Sequence, residues 1–237
     1  MSENETSNLA LPLLLPAQAQ KHVTVNDALL RLDGMVDLVL QSLSRTQPPA
    51  GVVDGMCWGV PPGAVNAWEG RGGQIAIGAN GGWVFVTPRL GSRAYIADQG
   101  VPAIHDGALW VPGALNMGAF GSGLIAMQAS DEVTLTAGAS KEATLSIPAG
   151  VMVIGVTARV TQALTGTLTS WRLGTAGAEN RFGDGLGKGL GSWGRGILSQ
   201  PMTYWDAAPL RLTATGGNFA AGKVRLVAHW LELRIPN

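Results

Sequence analysis

Cysteine occurs once in these 237 residues, at Cys57, and histidine three times, at His22, His105 and His229. A single cysteine excludes an internal disulfide and leaves no material for a thiolate cluster, so Cys57 reads as a small buried apolar group. The histidines lie far apart with no H-x-x-x-H pair, and neither a metal nor a cofactor is expected. Charge is scarce as well. The 16 Lys/Arg and 16 Asp/Glu make up 14% of the chain, well below the usual quarter, and cancel to zero. A neutral chain generates no overall field that would gather nucleic acid or an anionic membrane. Long apolar runs are missing: LALPLLLP is too short and too broken by proline to span a bilayer. The opening MSENETSN is acidic and polar, the opposite of a secretory start. The expectation is synthesis in the cytoplasm and departure, if any, inside a larger particle.

What the sequence does have is glycine (34 residues), tryptophan (eight) and 46% apolar residues, enough for a packed core. With so little charge, the surface must be covered by small polar residues and backbone, or by other copies of the chain. Residues 1–130 carry six Lys/Arg against nine Asp/Glu, and residues 131–237 ten against seven. The C-terminal part is therefore mildly basic, which suits an acidic ligand or a scattered solvated surface.

Residues 1–8 read as disordered, and residues 9–21 as an apolar, extended arm held out of helix by Pro12 and Pro16. From Val23 to Leu43 the spacing of Val25, Leu29, Leu32, Val36, Val39 and Leu43 alternates four and three, the heptad seam of a helix. Asn26 or Thr24 is positioned to cap it. Such a seam either lies on its own domain, as Gly34 and the short length allow, or is buried by self-association. A homo-oligomer, with a trimer as the working guess, is the expectation adopted for it.

Ser44 to Gly51 is a linker, and beyond it the apolar pattern changes to period two. Strands are expected near 56–60, 74–77, 83–87, 93–97 and 108–111, with hairpin turns at Asn80-Gly81 and Asp106-Gly107. Trp58, Trp68, Trp83 and Trp110 are the natural core of so small a sheet. Residues 112–130 lack a period. Then β-branched alternation returns at 132–137, 143–147, 152–164, 167–173, 210–215 and 224–235, and two packed antiparallel sheets satisfy it most simply. The chain is thus expected to be mainly β. An N-terminal arm and helix (1–50) precede a small antiparallel β module (51–112), a connector (113–130) and a C-terminal antiparallel β-sandwich, jelly-roll-like (131–237).

The stretch 183–196, GDGLGKGLGSWGRG, contains a literal G-x-G-x-x-G. Neither a strand into it nor a helix out of it is evident, and Lys188 is followed by Gly189, so a nucleotide loop is set aside. Glycine permits tight wrapping and exposed amides, and 175–206 reads as a loop at the tip of the sandwich. Around it Trp171, Phe182, Trp193, Tyr204 and Trp205 offer flat faces to a sugar ring. Asn180, Arg181, Asp184 and Asp206 offer hydrogen bonds to its hydroxyls. The competing reading packs the tryptophans beneath a long turn. Arg159 and Arg172 are lesser candidates. Glu179, Asp184 and Asp206 show no spacing that singles out a glycosidase pair, and no nucleophile elbow occurs, so no catalytic residue is assigned and the chain is expected not to be an enzyme.

LPLLLPAQAQKHVTVNDALLRLD at 11–33 and GGWVFVTPRLGSRAYIAD at 81–98 resemble an uncharacterised family of tailed phages, prophages and gene transfer agents. The family motif reads LPxLxPAQAQKHVTVNxALxxLD. SIPAGVMVIGVTARVT at 146–161 and GGNFAAGKVRLVAHWLELRIP at 216–236 are similar, more loosely, to β-sandwich receptor-binding ends of fibres. The resemblance implies a head spike or fibre subunit on the surface of a phage-like particle. By the same resemblance its N-terminus would attach to a capsid or spike-base protein, and its C-terminal sandwich would bind host surface polysaccharide such as capsule. A purely structural adaptor and, third, a polysaccharide depolymerase remain alternatives.

Overall fold

A computed structural model describes residues 4–15 and 21–236. The protein is mainly β and divides into two compact units, one ending at Gly123 and one comprising Leu124–Ile235.

The first unit holds the helix α1 (Lys21–Met35) and a seven-stranded sheet. Its strands are β1 (Val39–Leu40), β2 (Cys57–Gly59), β3 (Ile75–Ala79), β4 (Gly82–Val86), β5 (Arg93–Ile96), β6 (Val101–His105) and β7 (Trp110–Pro112). They lie in the order β4-β3-β2-β1-β5-β6-β7. The sheet is not purely antiparallel as expected, because the two residues of β1 pair in parallel with both β2 and β5 and join two antiparallel meanders. The Asn80-Gly81 turn behaves as its sequence demands: both residues have positive φ (52° and 72°), and they link β3 to β4. Asp106 closes the β6–β7 hairpin by accepting the amides of Ala108 and Leu109 at 2.9 and 2.7 Å. Trp58, Trp68 and Trp83 stack edge-to-face or tilted, 5.2 to 6.0 Å apart, and form a core under one end of the sheet.

The heptad seam is interrupted. The helix ends at Met35, Asp37 takes a left-handed φ of 49°, and Leu38 and Leu40 turn into the core. Of the six proposed oligomerisation residues, only Val25, Leu29 and Leu32 stand on the helix. Val36 sits in the turn that closes it, bonded to the Leu32 carbonyl, Val39 is a strand residue, and Leu43 packs against the sheet core. Valine spacing could not reveal this, because a helix ending in a strand keeps apolar residues at similar intervals. Val25, Leu32, Val36 and Val39 remain 40 to 48% exposed. Gly34 has a local reason: a methyl there would come within 2.8 Å of the Ile77 side chain, so the glycine lets the helix close onto β3.

Residues 4–8, expected to be disordered, are held. They fold back on residues 11–13 as a small hairpin, with Glu5 bridged to Pro12. The extended-arm expectation for 9–21 is met in part by this hairpin, while residues 16–20 lie outside the described ones. Asp33, 1% exposed, anchors it. Its carboxylate accepts the Thr6 hydroxyl (2.6 Å) and the amides of Asn8 and Leu9 (3.1 and 2.7 Å). Asn26 does not cap the helix but pairs with both the amide and the carbonyl of Leu14. Among the described residues no ion pair engages Asp33, and hydrogen-bond donors satisfy it.

The second unit is an eight-stranded sandwich. Its strands are β8 (Gly123–Leu135), β9 (Ser140–Ile147), β10 (Val151–Gly166), β11 (Ser170–Thr175), β12 (Ala178–Leu186), β13 (Trp193–Tyr204), β14 (Ala208–Thr215) and β15 (Phe219–Arg234). One sheet runs β13-β10-β15-β8 and the other β12-β11-β14-β9. Counted from the first strand of the unit, these orders are 6-3-8-1 and 5-4-7-2, the arrangement of a jelly roll. The expected connector 113–130 is a connector only in its first half, since β8 begins at Gly123 and is an edge strand of the sandwich.

Alternation fills the interior with Val156, Ala158 and Val160 from β10, Val224, Leu226 and Ala228 from β15, and Leu210 and Leu212 from β14. Val151 and Val153 on β10 have the other parity. A register shift between Val153 and Gly155 restores them to the inside. Gly155 is required there, because a side chain would meet the carbonyl of Gly196.

Two measurements test this account of the first unit. Replacing Asp33 by Ala strands three donors, so the Asn8 and Leu9 amides should lose hydrogen-exchange protection and the unit about 1–3 kcal/mol of stability. Unchanged protection would contradict the anchor. Burial, aided by the charge of Asp33, pushes the Cys57 thiol from 9.0 up to about 12. Because the folded value lies above the unfolded one, stability is intact below about pH 9 and declines as pH rises toward 12. At pH 8 a disulfide reagent should therefore label Cys57 only at the rate of unfolding.

Candidate functional site

The stretch 175–206, expected to be one long loop, contains two strands. The true loop is 187–192, six residues long, connecting β12 in one sheet to β13 in the other. It is tied down throughout. Trp171 Nε1 donates to the Gly187 carbonyl at 2.9 Å, Lys188 Nζ to the Leu168 carbonyl at 3.1 Å, and the amides of Leu164 and Val160 to the carbonyls of Lys188 and Ser192. The glycines differ in role: Gly185 and Gly191 take positive φ with open space around them, whereas Gly196 permits close approach. Any side chain at Gly196 would strike the carbonyl of Phe182 on the strand behind it.

Trp171 is consequently no sugar platform. It is 1% exposed, Phe182 is 2% exposed, and both belong to the sandwich core. The remaining candidates divide between two places. Trp193 and Tyr204 are the first and last residues of β13, roughly 35 Å apart along an extended strand. They do not form one site.

At the Tyr204 end an open groove of about 500 Å³ is lined by the β11–β12 turn (Thr175–Ala178), Arg181 and residues 202–209. It brings together Arg181, Tyr204, Trp205 and Asp206. Trp205 is 82% exposed. The Arg181 guanidinium lies 6.0 Å from the centre of the Tyr204 ring and touches the Met202 sulfur. The Tyr204 hydroxyl is buried without a hydrogen-bond partner among the described residues. Asn180 and Asp184 stand on the same strand as Arg181 but outside the lining of this groove. Asp184 is engaged by Arg172 Nε at 3.0 Å on the exposed face. The Arg172 hydrogen bond holds its carboxyl below the usual carboxylate range, opposite to the shift a general acid needs.

At the Trp193 end a smaller groove of about 270 Å³ runs over the outer face of the β13-β10-β15-β8 sheet. Trp193, 63% exposed, is flanked there by Thr157, Arg159, Arg195, Arg225 and Val227. The Arg195 guanidinium is 5.8 Å from the indole centre. His229, read from the sequence as a strand residue, is one: its Nε2 is 3.4 Å from the Thr157 hydroxyl, and burial lowers its pKa. Sequence reasoning ranked Arg159 low and passed over Arg195 and Arg225. Their positions in the alternating strings VTARV, WGRGI and KVRLV placed them on the outer face.

Among the described residues no three His, Cys, Asp or Glu side chains gather closely enough to hold a metal ion, and no helix is long and apolar enough to cross a membrane.

Residues 25–111 match the family described as protein of unknown function (DUF2793), about a third of the chain, all of it within the first unit. No curated protein matches. A chain of the cyanophage Pam1 capsid asymmetric unit aligns at 22% identity over 50% of this chain and 91% of its own length. Its TM-score of 0.35 is too low to carry an argument.

The buried and exposed tryptophans should separate cleanly. Trp171→Ala removes a filled core position and an indole bond, and should cost about 3–5 kcal/mol in denaturant unfolding. Trp193→Ala and Trp205→Ala should each stay within about 0.5 kcal/mol of the parent. A reversed ranking would contradict the placement of these rings.

Proposed function

We propose that this chain is a non-enzymatic spike or fibre subunit of a phage-like or gene transfer agent particle, and that its jelly roll attaches to host surface polysaccharide. One observation carries the reading. The sandwich presents two large aromatic rings to solvent, Trp193 and Trp205, each beside guanidinium and hydroxyl groups. Sugars demand this combination, with an apolar ring face for the C–H surface and polar neighbours for the hydroxyls. The resemblance of residues 11–33 and 81–98 to a family of phages and gene transfer agents supplies the setting.

In this reading the first unit, with its docked hairpin and the exposed apolar residues Val25, Leu32, Val36 and Val39, provides assembly and attachment to a capsid or spike-base protein. The particle surface is the place of action. Repetition matters for such a ligand, because weak binding at each open groove is multiplied by about 10² to 10⁴ when several copies engage one polymer. A homo-oligomer, with three copies as the working number, meets that need.

The test uses the full chain, labelled and added to host cells with and without capsule. Binding should follow the capsule and should fall about tenfold in the Trp193→Ala/Trp205→Ala double variant at unchanged melting temperature. Equal binding to both cell types would remove the polysaccharide. Capsule chains shortened by the protein would replace attachment with depolymerisation.

A further inference from the structure

The groove around Trp193 has a charge pattern that a neutral sugar does not need. On three adjacent strands, Trp193, Arg159 and Arg225 lie directly opposite one another, because β10 pairs Arg159 with Trp193 on one side and with Arg225 on the other. In the neighbouring row Thr157 faces Arg195 and Val227. With strands about 4.8 Å apart, the indole and three guanidiniums occupy a patch about 10 Å across. Lys223 lies on β15, two residues before Arg225 and of the same parity. Glu132 is the carboxylate that answers these cations. It pairs with Arg225 at 2.8 Å and with Lys223 at 3.7 Å. Arg159 and Arg195 have no carboxylate partner among the described residues.

Like charges directly across neighbouring strands oppose sheet formation, and Glu132 offsets this on the Arg225 side of the Arg159–Arg225 pair while leaving Arg159 unanswered among the described residues. A bound anion would relieve it. Guanidinium presents a planar fork that matches a carboxylate or sulfate, and a ring beside it suits the apolar face of the sugar carrying that group. Residues 131–237 carry ten Lys/Arg against seven Asp/Glu, and three of those ten cations line this one groove.

We infer that this groove recognises an acidic sugar, with Arg159 and Arg195 taking the carboxylate or sulfate of a polysaccharide and Trp193 stacking on its ring. The inference rests on the polysaccharide reading above and narrows it to anionic polymers at one of the two grooves.

The full chain is to be titrated with polygalacturonate, dextran sulfate, neutral dextran and duplex DNA by a binding assay at several salt concentrations. The expected result is binding of polygalacturonate or dextran sulfate, whichever source the groove prefers, that weakens with salt and does not extend to dextran. An Arg159→Gln/Arg195→Gln variant should lose at least about tenfold in affinity, and Trp193→Ala a comparable amount, with unchanged melting temperature. The tryptophan arm separates a sugar site from a mere basic patch: affinity independent of Trp193, or DNA bound as well as the acidic glycan, overturns the proposal. Dextran bound through Trp193 with no effect of the arginines would overturn the acidic specificity and leave polysaccharide attachment standing. No binding of any probe, together with no preference for encapsulated cells, removes both.

Discussion

The long antiparallel pairing of Val151–Gly166 with Phe219–Arg234 is the constraint on which the second unit depends. Strand geometry allows each of these strands only two faces. Once valines and leucines take the inner one, Thr157, Arg159, Arg225 and Val227 have no choice but the outer. The bulge at Val153–Gly155 protects this assignment by correcting the parity of the valines on either side of it. A one-residue slip would exchange the hydrophobic interior for the basic groove, so the core and the candidate binding surface are two readings of one register.

The first unit depends on a comparable economy. Its helix is too short to be stable alone and receives support from both sides. Gly34 lets it press onto β3, and the buried carboxylate of Asp33 gathers the preceding hairpin onto its end. Asn26 repeats the device one turn from the helix start by clasping Leu14. The polar residues inside the stretch 11–33 therefore hold the chain to itself. The apolar residues Val25, Leu32 and Val36 stay at the surface.

Much of this was legible in the sequence, for identifiable reasons. Asn80-Gly81 announces a primed turn, and β-branched alternation marks most strands of the sandwich. What escaped was hidden by glycine. In RFGDGLGKGLGSWGRG, glycine removes the side chains by which alternation is recognised, so most of β12 and the start of β13 resembled a loop. Trp171 and Trp193 look alike when judged by their distance from those glycines. Parity separates them: Trp171 shares a face with Leu173, whereas Trp193 shares one with Arg195 and Ile197. The helix end was misplaced because Val36 and Val39 continue its spacing by coincidence, while Leu38 and Leu40 carry the burial.

Trp193, Arg159 and Arg225 are mounted on ladder-paired strands rather than on a loop. Their main chain was immobilised when the protein folded. A molecule arriving at this face therefore meets a surface whose ordering entropy has already been spent, and only side-chain rotamers remain to be fixed. Such a platform gives up adaptability, and with it the capacity to close over what it holds.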